Sequence, residues 1–183
     1  MSDLLPLTSA LLSAHDKSRL LPLASRLQAL GVELVASGGT ARFLREQGLS
    51  VREVSEQTGY PAILGGRVKT LHPAVFGGIL ANRDLEEHQR DLQEHNLPAV
   101  DLVAVDLYPF EETLRSTDDP AELIEQIDIG GISLIRAAAK NHAHVWVLPS
   151  SAHFEEAADW LTAHQAGPPP HLRKQYAARA FAL

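Results

Sequence analysis

Val32-Glu33-Leu34-Val35-Ala36-Ser37-Gly38-Gly39-Thr40 is an apolar run, then a glycine pair, then a hydroxyl residue opening a helical stretch. A short apolar run bounded by turn residues fits a strand buried on both faces. Outward from it, residues 7–14 form a second such run. Residues 16–30 have helical periodicity, with Leu20, Leu23, Ala24 and Leu27 on one stripe, and Gly31 stops it. Residues 38–47 read as another helix, ended by Gly48, and residues 51–54 as a brief strand. This βαβαβ rhythm predicts a parallel sheet with helices on both faces.

Further along, residues 100–107 are the most strand-like run and residues 145–148 a fifth strand, with helices over 73–82, 85–94, 120–126, 132–140 and 152–164. The expected fold is therefore α/β, doubly wound, with a mainly parallel five-stranded sheet. Residues 55–71 contain Thr58-Gly59, Pro61 and Gly65-Gly66 and read as a long loop, a kind of segment that often carries function. Gly167-Pro168-Pro169-Pro170 breaks the pattern before a last amphipathic segment, 171–183. The organisation expected is one domain over 1–166, followed by a break and helix over 167–183 that fit a connection to a missing domain and a separate-gene arrangement equally. An exposed apolar face on that helix would favour a homodimer.

The 183 residues carry a net charge of −7, which argues against nucleic acid or an anionic membrane as partner. An anionic small molecule remains compatible if the few cations converge. With no cysteine, thiolate nucleophiles and zinc–thiolate sites are excluded. Nine histidines are present, but no helical pair with a nearby carboxylate appears, so no metal site is expected. No Lys or Arg precedes the first apolar run, and Asp3 stands where a signal peptide needs positive charge.

Five motifs can carry chemistry. Ser37-Gly38-Gly39-Thr40 offers close backbone approach, free N–H groups at a helix start and two hydroxyls, which suits phosphate; a tight strand-to-helix turn with a Thr cap is the plainer reading. Ser13-Ala14-His15-Asp16-Lys17-Ser18 follows the first strand, so Lys17 and Ser18 would meet Ser37–Thr40 at the carboxyl edge of the sheet; alternatively Asp16 caps a helix beside a solvated lysine. In Gly65-Gly66-Arg67-Val68-Lys69-Thr70-Leu71-His72-Pro73, an extended backbone would point Arg67 and Lys69 to one side. Arg67 could then fork onto a phosphate and Lys69 face a developing oxyanion; the plainer reading is two surface cations on a mobile loop.

Asp106-Leu107-Tyr108-Pro109-Phe110 closes the fourth strand, with Tyr108 either a proton relay or an aromatic cover. Asp128-Ile129-Gly130-Gly131 opens a helix on which Ser133, Arg136 and Lys140 share a face, and a lysine buried there would have a lowered pKa suited to proton transfer. The plainer reading is a capped packing helix with a polar flank.

These motifs, with Arg136-Ala137-Ala138-Ala139-Lys140-Asn141-His142, occur in an order that closely resembles the inosinate cyclohydrolase domain of bifunctional AICAR transformylase/IMP cyclohydrolase, over roughly residues 10–150. The resemblance implies the methylglyoxal-synthase-like fold and a cytoplasmic enzyme of purine biosynthesis. That enzyme closes 5-formamidoimidazole-4-carboxamide ribotide to inosine 5′-monophosphate without cofactor or metal. Carried over by position, Ser13, Lys17, Ser18, Ser37, Gly38, Gly39, Thr40, Arg67, Thr70, Asp106 and Gly130 would bind substrate. Lys69, Tyr108, Asp128 and Lys140 would do the chemistry, with Lys69 on the oxyanion. A transformylase domain, separate or removed, is the partner implied.

Three positions depart from the family: its first turn usually reads Ser-Val-Ser-Asp-Lys-Thr-Gly, so His15 replaces a hydroxyl; Asp106 replaces Asn; Phe76 replaces His. A straight helix from Asp128 to Lys140 would hold its ends roughly 18 Å apart at about 1.5 Å per residue. Either Asp128 folds back on a loop or a second subunit completes the site. Two other readings stay open: a methylglyoxal-synthase-like lyase acting on triose phosphate, and a catalytically weakened nucleotide-binding domain.

Overall fold

The computed structural model describes residues 4–108 and 110–183. Asp3 and Pro109, both weighed above, lie outside the described residues. Five strands, β1 (Ser9–Ala14), β2 (Glu33–Ala36), β3 (Val51–Glu53), β4 (Leu102–Asp106) and β5 (Trp146–Leu148), pair only in parallel, in the order β3-β2-β1-β4-β5. The doubly wound fold expected from the apolar runs is the fold observed. The chain moves outward from β1 to β3, then starts again at β4 on the other side of β1, which puts the topological switch point between β1 and β4.

Strands covered on both faces need apolar residues at successive positions, which is why β1, β4 and β5 read as continuous runs. Leu11, Leu12, Leu34, Leu102 and Trp146 are fully buried. On one face, α1 (Lys17–Ala29) packs against α2 (Gly38–Glu46) and α9 (Phe154–His164) through Leu20, Leu23, Ala24 and Leu27. On the other face, α8 (Ile129–Lys140) packs against α4 (Pro73–Leu80) and α10 (Pro170–Phe181). No described helix is long and apolar enough to cross a membrane.

The segment after the proline break folds into this same core. Leu5 and Gly167 exchange backbone hydrogen bonds of 3.0 and 2.8 Å. Arg173 of α10 is buried and donates to the carbonyls of His142, Ala143 and Pro168 at 2.9, 2.7 and 2.6 Å. Tyr176 packs edge-on against Trp146 of β5, with ring centroids 5.8 Å apart. At the amino edge of the sheet, the buried Asp101 carboxylate accepts from Thr8 N–H (2.6 Å), Ser9 N–H (3.1 Å) and Arg83 (2.5 Å).

Three segments differ from expectation. The 55–71 loop holds a short helix, α3 (Val54–Thr58), and a 3-10 turn at Leu64–Gly66. Glu56 accepts from Glu53 N–H at 3.1 Å to open α3, and Gly59, at φ +66°, closes it. Between α5 (Glu86–Glu94) and α7 (Pro120–Glu125) stands a helix not expected, α6 (Phe110–Ser116), whose Leu114 faces solvent. Helix α8 begins at Ile129 rather than three residues later, because the Asp128 carboxylate caps it by accepting from Gly131 N–H at 2.6 Å.

Candidate active site

The carboxyl ends of β1, β2 and β4 open onto a cleft of about 570 Å³ at the switch point. Its wall on the β1 side is the turn into α1. Asp16 caps that helix, accepting from Ser18 N–H (3.1 Å) and from the Ser18 hydroxyl (2.6 Å). The Ser18 bond, more than any other cause, holds the Asp16 carboxyl below the usual carboxylate range. It also commits the Ser18 hydroxyl, and Ser18 does not line the cleft although the turn around it does. Lys17 donates to the His15 carbonyl at 3.1 Å and lies across the first turn of α2: a Cβ built on Gly39 would stand 3.2 Å from Lys17 Cε. Glycine at 39 therefore leaves room for the lysine.

The first turn of α2 supplies backbone donors. Gly38 sits at φ +53°, which favours glycine, and Ser37 makes no capping bond with its hydroxyl. The leading N–H groups of α2 then have no intrahelical acceptor, and Gly39 and Thr40 of that turn line the cleft. The Thr40 hydroxyl is already engaged: it accepts from Ala14 N–H (3.2 Å) and donates to Ala14 C=O (3.3 Å). Thr40 can offer an anion its backbone N–H, while its side chain ties α2 to the end of β1.

Across the cleft, Gly65 and Gly66 (φ +66° and +93°) let Ile63 and Val68 pair and bring Arg67 and Lys69 to the wall. Arg67 is in a helical conformation, not the extended one expected, yet both cations line the same cleft. Arg67 forks onto Glu125 at the end of α7, Nε to Oε2 at 3.3 Å and Nη2 to Oε1. Lys69 is exposed and has no hydrogen bond or ion pair among the described residues. Thr70 is buried, with Oγ1 against Gly130, where a Cβ would come within 3.1 Å. His72 caps α4, its Nδ1 accepting from Ala74 N–H at 3.1 Å.

The end of β4 contributes Asp106 and Tyr108. Asp106 accepts at both oxygens, from Asp16 N–H (3.1 Å) and Ser151 N–H (3.0 Å). Tyr108 is 46% exposed and meets the His15 ring edge-on. The start of α8 completes the wall with Asp128, Ile129, Gly130 and Gly131. One cleft thus gathers Ser13, Lys17, Ser37, Gly39, Thr40, Arg67, Lys69, Thr70, Asp106, Tyr108, Asp128 and Gly130.

Lys140 is not among them. It is the exposed last residue of the continuous α8, so the helix keeps it about 18 Å from Asp128 at about 1.5 Å per residue. Its expected burial does not arise, and Asp128 does not fold back on a loop. On the face it shares, Arg136 lies over the Phe181 ring of α10 at 5.4 Å, while the Ser133 hydroxyl donates within α8 to the Ile129 carbonyl at 2.7 Å. Gly38 also falls outside the lining. Sequence reasoning missed Glu125, since nothing in a phosphate motif calls for a carboxylate.

A family model described as MGS-like domain matches residues 19–133. The chain belongs to the MGS-like domain family. This MGS-like domain is 48% identical, over its whole length, to the bifunctional purine biosynthesis protein PurH of Roseobacter denitrificans, of which it covers 34%. It is 53% identical over 84% of its length to PurH of Jannaschia sp., covering 29% of that protein. The chain therefore spans about a third of the length of the curated relatives it matches. Among solved structures, that of ForH is 36% identical with a TM-score of 0.82, over 96% of this chain and 92% of that one. Phe76, where the family resemblance led us to expect His, packs against the core of this MGS-like domain.

Proposed function

We propose that this domain is an inosinate cyclohydrolase, closing 5-formamidoimidazole-4-carboxamide ribotide to inosine 5′-monophosphate with loss of water. The observation that carries the reading is a single cleft joining phosphate-type donors, at the starts of α1 and α2, to Lys69, Tyr108 and Asp128. Its volume suits a mononucleotide. The 5′-phosphate lies against Lys17, the α2 N–H groups and Arg67, and the base extends toward Lys69 and the start of α8.

The reaction forms a bond from the carboxamide nitrogen to the formyl carbon. Asp128 accepts the nitrogen's proton as the formyl oxygen gains charge, Lys69 faces that oxygen, and Tyr108 protonates it. The hydroxyl then leaves as water while the former formamide nitrogen gives up its proton, generating the ring C=N bond. Holding the two arms in contact supplies much of the acceleration, because the attack is intramolecular. Lys140 takes part only if a second copy presents it. A transformylase, fused or separate, would supply the formyl group, and a cytoplasmic setting goes with that pathway.

Incubation with the formamido ribotide, without folate, should produce inosinate, followed by its ultraviolet absorbance. Lys69→Ala should lower kcat about a hundredfold, the scale of one lost oxyanion donor. A wild-type protein that forms no inosinate refutes the proposal, and an unchanged kcat in Lys69→Ala refutes the role given to that lysine.

A further inference from the structure

We infer that His15 is a positioning residue whose imidazole holds the Tyr108 ring in its working orientation. The inference rests on the cyclohydrolase reading only for what that orientation serves.

Tyr108 lies two residues beyond the end of β4 and is 46% exposed. Its backbone has one described tie, a carbonyl accepting from Phe110 N–H at 2.8 Å. Left to itself, a half-exposed tyrosine on such a segment samples several rotamers. His15 is anchored far more firmly. Its N–H donates to the Asp106 carbonyl at 3.1 Å, its carbonyl accepts from Lys17 Nζ at 3.1 Å, and the next N–H is held by the Asp106 carboxylate at 3.1 Å. From that fixed backbone the imidazole meets the Tyr108 ring edge-on, centroids 5.3 Å apart and planes at 65°. This is a favoured arrangement for two rings. The exposed imidazole, carried on the better anchored backbone, restrains the tyrosine ring, and both stand on the wall of the same cleft.

An aromatic pair of this kind corresponds to a loss of about threefold to tenfold when one ring is removed. His15→Ala should therefore lower kcat by about that factor with KM unchanged, and His15→Phe, which keeps a ring in place, should recover most of it. The chain has three tyrosines, so ring-labelled tyrosine spectra can resolve Tyr108, assigned by its absence in Tyr108→Phe. Its ring signals should shift in His15→Ala without substrate present. Unmoved Tyr108 signals overturn the inference. So does a raised KM at unchanged kcat that His15→Phe fails to correct, which would make His15 a substrate contact. A wild type without turnover overturns the cyclohydrolase reading instead, and the spectra then decide the His15–Tyr108 relation alone.

Discussion

Glu125→Gln asks whether Arg67 is held in reserve for an anion. Its guanidinium forks onto Glu125, with the two side chains 64% and 55% exposed. An exposed pair of this sort is worth about 0–1 kcal/mol, so a ligand can displace it. A phosphate arriving at Arg67 loses that pairing and also keeps the displaced carboxylate for a neighbour. At about 5 Å, in water, the repulsion is about 0.8 kcal/mol per unit charge before screening. The amide removes both penalties, so affinity should rise by about 0.8–1.8 kcal/mol, roughly four- to twentyfold. Calorimetric titration with ribose 5-phosphate and with inosine 5′-monophosphate, at low and high salt, reads the change directly. The gain should shrink at high salt, and the share that comes from the Arg67–Glu125 pairing should be lost when Arg67→Ala is added. Equal or weaker phosphate binding by Glu125→Gln refutes the reasoning, since Glu125 would then be propping Arg67 rather than competing for it.

Gly131→Ala should lower stability by about 1–3 kcal/mol and abolish turnover, because the added methyl collides with the Asp128 carboxylate and stands 2.8 Å from Leu107 Cδ2; thermal melts and kcat report the two effects. Arg173→Met leaves three inward-facing carbonyls without their donor and should cost about 3–5 kcal/mol in urea unfolding. Burial, the first cause for both, holds His144 and His153 below the ordinary histidine pKa, and Arg179 depresses His153 further. Their neutral forms are thus favoured by the fold. Their contribution is complete above about pH 6.5, the unfolded value, and falls as acidification proceeds from there toward the lower native values. The urea midpoint should drop between about pH 7.5 and 5.5, and His153→Gln should flatten part of that slope.

The sheet was legible because parallel strands buried on both faces leave an unbroken apolar signature, as in β1 and β4. Helix α6 was not, for its Phe110 and Leu114 are both exposed. Helix α3 is too short to show a period; only the Glu53–Glu56 spacing and Gly59 hint at it. At the site, the glycines and cations that line the cleft, Gly38 and Lys140 aside, stood out in the sequence, since close approach and charge are properties of single residues. What each hydroxyl bonds to is a property of neighbours brought by the fold, so nothing local told that Thr40 and Ser18 were already engaged. Lys140 shows the opposite limit: its motif was plain, but helix length, not residue type, fixed its distance from Asp128.

The two acceptor oxygens of Asp106 make it a tie-rod between segments remote in the chain. One end grips the turn that carries Lys17; the other grips Ser151, on the loop after β5, which does not line the cleft. Asparagine there would offer one oxygen and turn an NH₂ group on one of the two N–H donors. In this chain the outer loop is mechanically yoked to the turn into α1, so strain applied at Ser151 travels through two hydrogen bonds to the backbone next to Lys17.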